Sequence, residues 1–218
     1  AEEINLLNEE LLVALAKATD LRDPFVMEHS LNVARYAELI AQELDLSEKR
    51  TELVRKAGLL HDIGKLSIPD AILFKPDRLN EEEFAQIKGH VQTGADIIRD
   101  CHSLGPLIPI ITHHHECYDG SGYPDGLAGE SIPLEARILG LADAIEAMAS
   151  DRPYRRGRTP YGIVDEMLKY SGRQFDPQVV DALIRVLQKQ GQGVIVNSAR
   201  HVKARDEIPQ KRKTGPLN

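Results

Sequence analysis

Apolar residues recur at intervals of three and four along most of this 218-residue chain. This spacing places them on one face of an α-helix. The first such stripe holds Ile4, Leu7, Leu11 and Leu15. Similar stripes predict further helices at roughly 26–44, 48–62, from 81 to beyond His90, 105–116, 134–150, 160–171 and 177–190. We therefore predict an all-α bundle of about seven or eight helices.

Composition and helix-capping residues support this prediction. The chain has no Trp and only 5% aromatic residues, so its core must consist mainly of aliphatic side chains. Ser47, Asn80 and Asp176 stand where side chains can cap helix N-termini. Asn80 is followed by three glutamates, which suit the positive end of the helix dipole.

The pattern divides the chain into three parts. Residues 1–19 form a first helix whose apolar seam could continue an upstream coiled coil, residues 20–190 form the main domain, and residues 191–218 form a tail that is disordered or carries a short strand near Val194. The chain begins with Ala1, so we expect a segment of a longer protein with an upstream sensory domain. The seam also predicts a homodimer.

The charge and the apolar runs exclude several classes of protein. The net charge of -7 argues against DNA binding, which requires a basic footprint. No apolar run approaches the roughly 18 residues of a membrane span, and no signal peptide is visible. The two cysteines give no disulfide framework. These features predict a cytoplasmic protein.

Histidine and aspartate are the residues that most directly indicate chemistry. Candidates lie on or at the end of separate predicted helices, so a bundle could direct them at one centre. These candidate metal ligands are His29, His61, Asp62, His90, His114, His115 and Asp143. Each alone is ordinary, but coincidence becomes improbable when all are taken together. His102, His113 and His201 are assigned no role.

Five imidazoles and two carboxylates are too many for one ion that keeps open positions. They suit two ions if one carboxylate bridges them, and Asp62 is the candidate bridge. We expect one ion at His29, His61, Asp62 and Asp143 and the other at Asp62, His90, His114 and His115. Such ligands suit Fe, Mn, Zn or Ni.

Several spaced motifs resemble a known family, the HD-GYP group of the HD superfamily of metal phosphohydrolases. The superfamily pattern H…HD…D is matched by His29, His61-Asp62 and Asp143. The HD-GYP elements are matched by HDIGK at 61–65, HHECYDGSGYP at 114–124 and ADAIEAMASDRPYR at 142–155. The similarity covers roughly residues 20–187 and implies an HD-type helical bundle.

The resemblance implies a cyclic-di-GMP phosphodiesterase that opens the cyclic dinucleotide to linear pGpG, with some members continuing to GMP. The implied mechanism is attack by a metal-bridging hydroxide, with Asp62 and Lys65 as catalytic residues. Family members use two or three metal ions, commonly iron or manganese, and Ni or Zn can occupy the sites during purification. Members with three metals typically carry a Glu where this chain has Phe25, so we expect two.

The resemblance also implies contacts with substrate. These residues are Asp23, Lys65, Tyr123, Arg152 and Arg155. The proton for the leaving oxygen could come from Lys65, Asp23 or a metal-bound water. Independently of the family, an anionic substrate in an acidic protein requires clustered cations, which the arginines at 152–158 supply.

Two alternatives remain open at this point. The substrate could be another cyclic dinucleotide, such as cyclic GMP-AMP. The chain could also be a non-catalytic cyclic-di-GMP receptor or a docking module whose GYP loop contacts diguanylate cyclase domains.

Overall fold

Helices dominate the computed structural model, which describes residues 2–22, 28–151 and 156–195. Within these ranges there are short 3₁₀ turns and one isolated bridge but no strand. The α-helices are α1 (Glu2–Asp20), α2 (His29–Glu43), α3 (Glu48–Leu60), α4 (Asp70–Leu73), α5 (Glu81–Lys88), α6 (His90–Ile98), α7 (Ile108–His113), α8 (Leu134–Ala149), α9 (Pro160–Lys169) and α10 (Pro177–Gln190). The predicted all-α class is confirmed.

The core is centred on α2, α3 and α8, with α6, α7 and α10 around them. Its largest fully buried side chains are aliphatic, including Ile40, Leu60, Leu139 and Ile145. Burial of such a side chain contributes about 1.5–3 kcal/mol. The core therefore has the aliphatic composition that the scarcity of aromatic residues predicts.

Three predicted caps are present at helix N-termini. The Asn80 side chain accepts a hydrogen bond from the Glu83 amide at 2.8 Å, and the Glu83 carboxylate accepts one from the Asn80 amide at 2.9 Å. Ser47 accepts from the Arg50 amide at 3.5 Å, and Asp176 caps α10. Because these bonds satisfy amides that a helix start leaves unpaired, they fix where α5, α3 and α10 begin.

The predicted continuous helix through His90 is wrong, since the chain breaks at Gly89 between α5 and α6. Close backbone packing surrounds the start of α6. A Cβ at Gly64 would lie 1.9 Å from the carbonyl oxygen of His90. Only glycine permits this approach, which brings the turn after Asp62 against the first residue of α6.

Two further local predictions differ from the structure. The apolar spacing predicts no helix between residues 62 and 81, but the short helix α4 lies there. Val194 ends a 3₁₀ turn instead of opening a strand, and Val196 lies outside the described residues.

Helix α1 is packed against the rest of the bundle through Leu12 and Ala16, which are buried. At its end, Asp20 accepts hydrogen bonds from the amide of Ser30 at 3.1 Å and from its hydroxyl at 2.7 Å. These bonds anchor the first turn of α2, whose first residue is His29. None of the described helices combines the length and the apolar character needed to cross a membrane.

Candidate metal centre

All seven predicted metal ligands come together inside the bundle. They stand at helix starts, just after helix ends, or within α8, and the structure places their side chains around one buried point. The residues are His29, His61, Asp62, His90, His114, His115 and Asp143.

The first group contains His29, His61 and Asp143. The Nε2 atom of His29 lies 3.4 Å from Asp143 Oδ1 and 3.2 Å from the Nε2 atom of His61. The distance from His61 Nε2 to Asp143 Oδ1 is 3.9 Å. Ligand atoms at these separations can be spanned by a single ion, whose bonds to N and O are about 2.0–2.2 Å long.

The second group contains His90, His114 and His115. Each offers a ring nitrogen within 4.8 Å of those of the other two. The rings of His114 and His115 are the closest pair, with centroids 3.9 Å apart. His114 also forms a group with His61 and Asp62, so the two groups adjoin one another.

Asp62 lies between the two groups, with its oxygens directed to different sides. Its Oδ2 atom is 3.6 Å from His29 Nε2 and 3.5 Å from His61 Nε2. Its Oδ1 atom is 3.6 Å from His90 Nε2. This arrangement has the form required of a carboxylate that bridges two ions.

Backbone hydrogen bonds orient three of the imidazoles. The Nδ1 atoms of His61, His90 and His114 contact the carbonyl oxygen three residues earlier, at 2.9, 2.7 and 2.7 Å. A carbonyl only accepts, so each Nδ1 carries the proton and the Nε2 atom of each neutral ring carries a lone pair. The buried Nε2 atoms of His90 and His114 have no hydrogen-bond partner among the described residues. Such buried lone pairs fit a bound metal ion.

A carboxylate that the sequence analysis missed orients His29. Glu146 on α8 is 1% exposed, and its Oε2 atom lies 2.5 Å from His29 Nδ1. Its other oxygen accepts a hydrogen bond from Ser150 at 2.5 Å. An acid one turn after Asp143 in an otherwise apolar helix was the available signal. A carboxylate behind a ligating imidazole is a common outer-shell arrangement.

The electrostatics keep the groups in ligand form. Burial lowers the pKa of His90 and of His114 to about 4, so both are neutral near pH 7. Burial alone would raise the pKa of Asp62, but Lys65 and the histidines hold it well below its usual value. The pKa of Asp143 is about 2, because its histidine neighbours outweigh its burial.

His29 is surrounded by three carboxylates, and its pKa reflects their negative charge. Burial alone would lower its pKa, but Asp62, Glu146 and Asp143 raise it to about 10. In the absence of another cation the imidazole therefore takes up a proton. A divalent ion would neutralise the same three carboxylates.

Two of the predicted substrate-binding residues border the centre. The ammonium of Lys65 lies 2.6 Å from Asp62 Oδ2. The ring of Tyr123 stacks on His115 with centroids 4.9 Å apart. The Tyr123 amide donates to the His115 carbonyl at 3.2 Å, and a Cβ at Gly122 would lie 2.2 Å from the Cys117 nitrogen. Gly122 thus permits the close backbone approach that places the Tyr123 ring against His115.

The other predicted substrate contacts belong to segments outside the described part of the chain. Asp23, Arg152 and Arg155 lie outside the described residues, as does Phe25, on which the expectation of two metals depends. His113, assigned no role, points away from the centre to Asp125 at 3.0 Å.

A cavity of about 220 Å³ adjoins the centre. Its lining includes Asp143 and His115 of the centre, together with Arg137 and Asp176, which form an ion pair at 2.5 Å. The ligands therefore border open space instead of a fully packed core.

Comparisons with known proteins place these features in context. A family model described as "HD domain" matches residues 14–179. The cyclic di-GMP phosphodiesterase response regulator RpfG of Xanthomonas campestris pv. campestris is 41% identical, over 84% of this chain and 49% of that protein. The 3'3'-cGAMP-specific phosphodiesterase 2 of Vibrio cholerae is 37% identical, over 84% of this chain and 37% of that protein. The chain thus spans about half or less of these curated relatives.

Solved structures show the same fold. An HDG"Y"P protein from Bdellovibrio bacteriovorus aligns with a TM-score of 0.59 and 25% identity, over 73% of this chain and 51% of that one. A cyclic GMP-AMP specific phosphodiesterase of V. cholerae aligns with a TM-score of 0.67 and 21% identity, over 89% of this chain and 53% of that one.

Proposed function

Because the chain belongs to the HD-GYP family of HD domains, we propose that it hydrolyses the phosphodiester bond of a cyclic dinucleotide with the help of two divalent metal ions. The preferred substrate is cyclic-di-GMP. Hydrolysis adds the oxygen of water to phosphorus and releases a ribose hydroxyl, so that the ring opens to linear pGpG. A second cut would give GMP.

The observation that carries this proposal is the position of Asp62 between two groups of imidazoles. A carboxylate with one oxygen toward His29 and His61 and the other toward His90 supports a pair of neighbouring ions. The mixed N and O donor set suits iron or manganese. When bound, two such ions supply a water activated near neutral pH and positive charge for the reacting phosphate.

The protein's own groups would hold and polarise the substrate. The ammonium of Lys65 lies beside Asp62, where it can stabilise negative charge that develops on the phosphoryl oxygens. Tyr123 is partly buried, and burial near Asp143 and Asp62 raises its pKa above the ordinary value. Its hydroxyl therefore stays neutral near pH 7, and its aromatic ring would lie beside the phosphate.

A second substrate is favoured by one specific observation. Relatives of similar sequence identity include both a cyclic di-GMP phosphodiesterase and a 3'3'-cGAMP-specific phosphodiesterase. Turnover of both compounds should be measured side by side. Faster hydrolysis of cyclic GMP-AMP would reassign the substrate and leave the chemistry in place.

The decisive experiment combines metal content with turnover. Protein prepared without oxygen should contain two ions per chain by elemental analysis and convert cyclic-di-GMP to pGpG. Three ions would contradict the inference from Phe25. Binding without turnover in metal-replete protein would indicate a receptor.

Two variants with a matched control locate the activity. His115→Ala and Asp62→Ala should lose metal and turnover together, since both residues belong to the proposed ligand set. His113→Ala removes the neighbouring imidazole, which faces Asp125 instead of the centre, and should keep both. Retention of metal and full activity in either ligand variant would contradict the proposed site.

A further inference from the structure

A second lysine stands beside the proposed active site. Lys88 is the last residue of α5, two positions before His90. Its Nζ atom lies 4.8 Å from the centre of the Phe84 ring and 5.6 Å from that of Tyr123. Lys88 belongs to none of the motifs that the sequence shares with the HD-GYP group.

Tyr123 connects this ammonium to the metal centre. Its ring stacks on His115 with an interplanar angle of 29°, and Lys88 contacts the same ring. Lys88 thus lies at the rim of the centre, on the element that leads directly into His90. Two aromatic rings restrict where the ammonium can lie, because cation–π attraction favours positions over a ring face.

The ammonium of Lys88 differs from those of nearby lysines in its ion pairing within the described part of the chain. Among the described carboxylates, none forms an ion pair with it. The lysines on neighbouring segments differ, since Lys65 pairs with Asp62 at 2.6 Å and Lys75 pairs with Glu83 at 2.7 Å. In a protein of net charge -7, a half-buried cation that pairs with none of the described acids is available to an anionic ligand.

We infer that Lys88 is a substrate-binding residue that contacts the phosphate that is not cleaved. This inference rests on the proposed function. A cyclic dinucleotide carries two phosphates on opposite sides of one ring. While one phosphate is held at the metal centre beside Lys65, the other needs a cation farther out, where Lys88 lies. Phe84, a residue that is 46% exposed, contacts the ammonium through its ring at 4.8 Å from the ring centre.

A comparison of a substrate with two phosphates and one with a single phosphate tests whether Lys88 contacts the second phosphate or affects the active site as a whole. For Lys88→Met we expect the KM for cyclic-di-GMP to rise about tenfold, the size of one lost charge-assisted hydrogen bond, with little change in kcat. Hydrolysis of bis(p-nitrophenyl) phosphate, which has a single phosphate, should be unchanged. Metal content should also be unchanged.

Two further variants serve as controls. Lys88→Arg keeps the charge and should stay within about threefold of the original KM, since an arginine also binds phosphate. Lys49→Met removes an exposed lysine at the end of α3 opposite His61. It should leave the kinetics with both substrates unchanged. An unchanged KM for cyclic-di-GMP in Lys88→Met would overturn the inference, as would an equal loss with both substrates.

Equilibrium binding distinguishes this inference from the proposed function. If the unaltered chain binds cyclic-di-GMP without hydrolysing it, hydrolysis is refuted, but the dissociation constant still tests Lys88. About tenfold weaker binding by Lys88→Met supports the contact, and equal binding overturns it. If the unaltered chain neither binds nor hydrolyses a cyclic dinucleotide, both proposals fail.

Discussion

Glu146 offers a test of the metal centre that does not depend on turnover. Its carboxylate lies 2.5 Å from the Nδ1 atom of His29 and also accepts a hydrogen bond from Ser150 at 2.5 Å. Although burial raises its pKa, His29 and Ser150 lower it below the ordinary value, so a carboxylate stands behind the imidazole. Glu146→Gln keeps the size and one hydrogen bond but removes the charge.

The expected loss follows from the difference between two kinds of hydrogen bond. Bonds to a charged group contribute about 1.5–3 kcal/mol and neutral ones about 0.5–1.5 kcal/mol. The midpoints of these ranges differ by roughly 1.3 kcal/mol, which corresponds to about tenfold weaker binding of the ion. This is the lower end of the range of about 10–100-fold that outer-shell changes produce. The loss should fall on the ion that we propose at His29, His61 and Asp143.

Competition with a chromophoric chelator measures this loss for each ion under anaerobic conditions. Glu146→Gln should weaken one of the two ions and leave the other, near His90, unchanged. Glu135→Gln is the matched control, because Glu135 lies on the same helix but pairs with Arg50 at 2.6 Å. If both ions bind Glu146→Gln with their original affinities, the reasoning about His29 is wrong.

Three other predictions test the reaction, the stability and the association of the chain. Lys65→Ala should keep both metals and lower kcat by a factor on the order of 10²–10³, as for a lost charge-stabilising donor, and steady-state assays with elemental analysis check this. In the metal-free protein, the pKa values of His90 and His114 are about 4. As the pH falls below about 6.5, these imidazoles take up protons in the unfolded chain but not in the folded one. The free energy of unfolding should therefore fall by about 3 kcal/mol for each histidine between about pH 6.5 and 4, which urea unfolding at several pH values measures. Leu7 and Leu11 are exposed on α1, so if that face forms the predicted homodimer, changing both to Ser should give a monomer by light scattering.

Much of the fold could be predicted because its determinants are local. Helical spacing and side-chain caps such as Ser47 and Asn80 act within a few residues. The break at Gly89 was missed because the apolar pattern continues across it. The glycine that matters to this packing is the distant Gly64, whose lack of a Cβ lets the backbone of His90 approach.

The residues of the site were predictable by type, but their supporting groups were not. In the sequence, Glu146 is marked only as an acid within a largely apolar helix, and Lys88 resembles an ordinary surface residue. Only the packing of α8 against α2 directs Glu146 to His29. Only the fold of the GYP loop brings the Tyr123 ring to 5.6 Å from the Lys88 ammonium. Both depend on contacts between residues far apart in the chain.

The positions of three histidines can nevertheless be understood from helix structure alone. The last four carbonyls of a helix lack partners within it. His61, His90 and His114 each follow the last turns of a helix and bind one such carbonyl, of Gly58, Ile87 or Ile111, through Nδ1. The bond that satisfies the helix end also fixes the tautomer and directs Nε2 outward. Where the ends of α3, α5 and α7 converge, completing the helices therefore prepares three lone pairs for a metal.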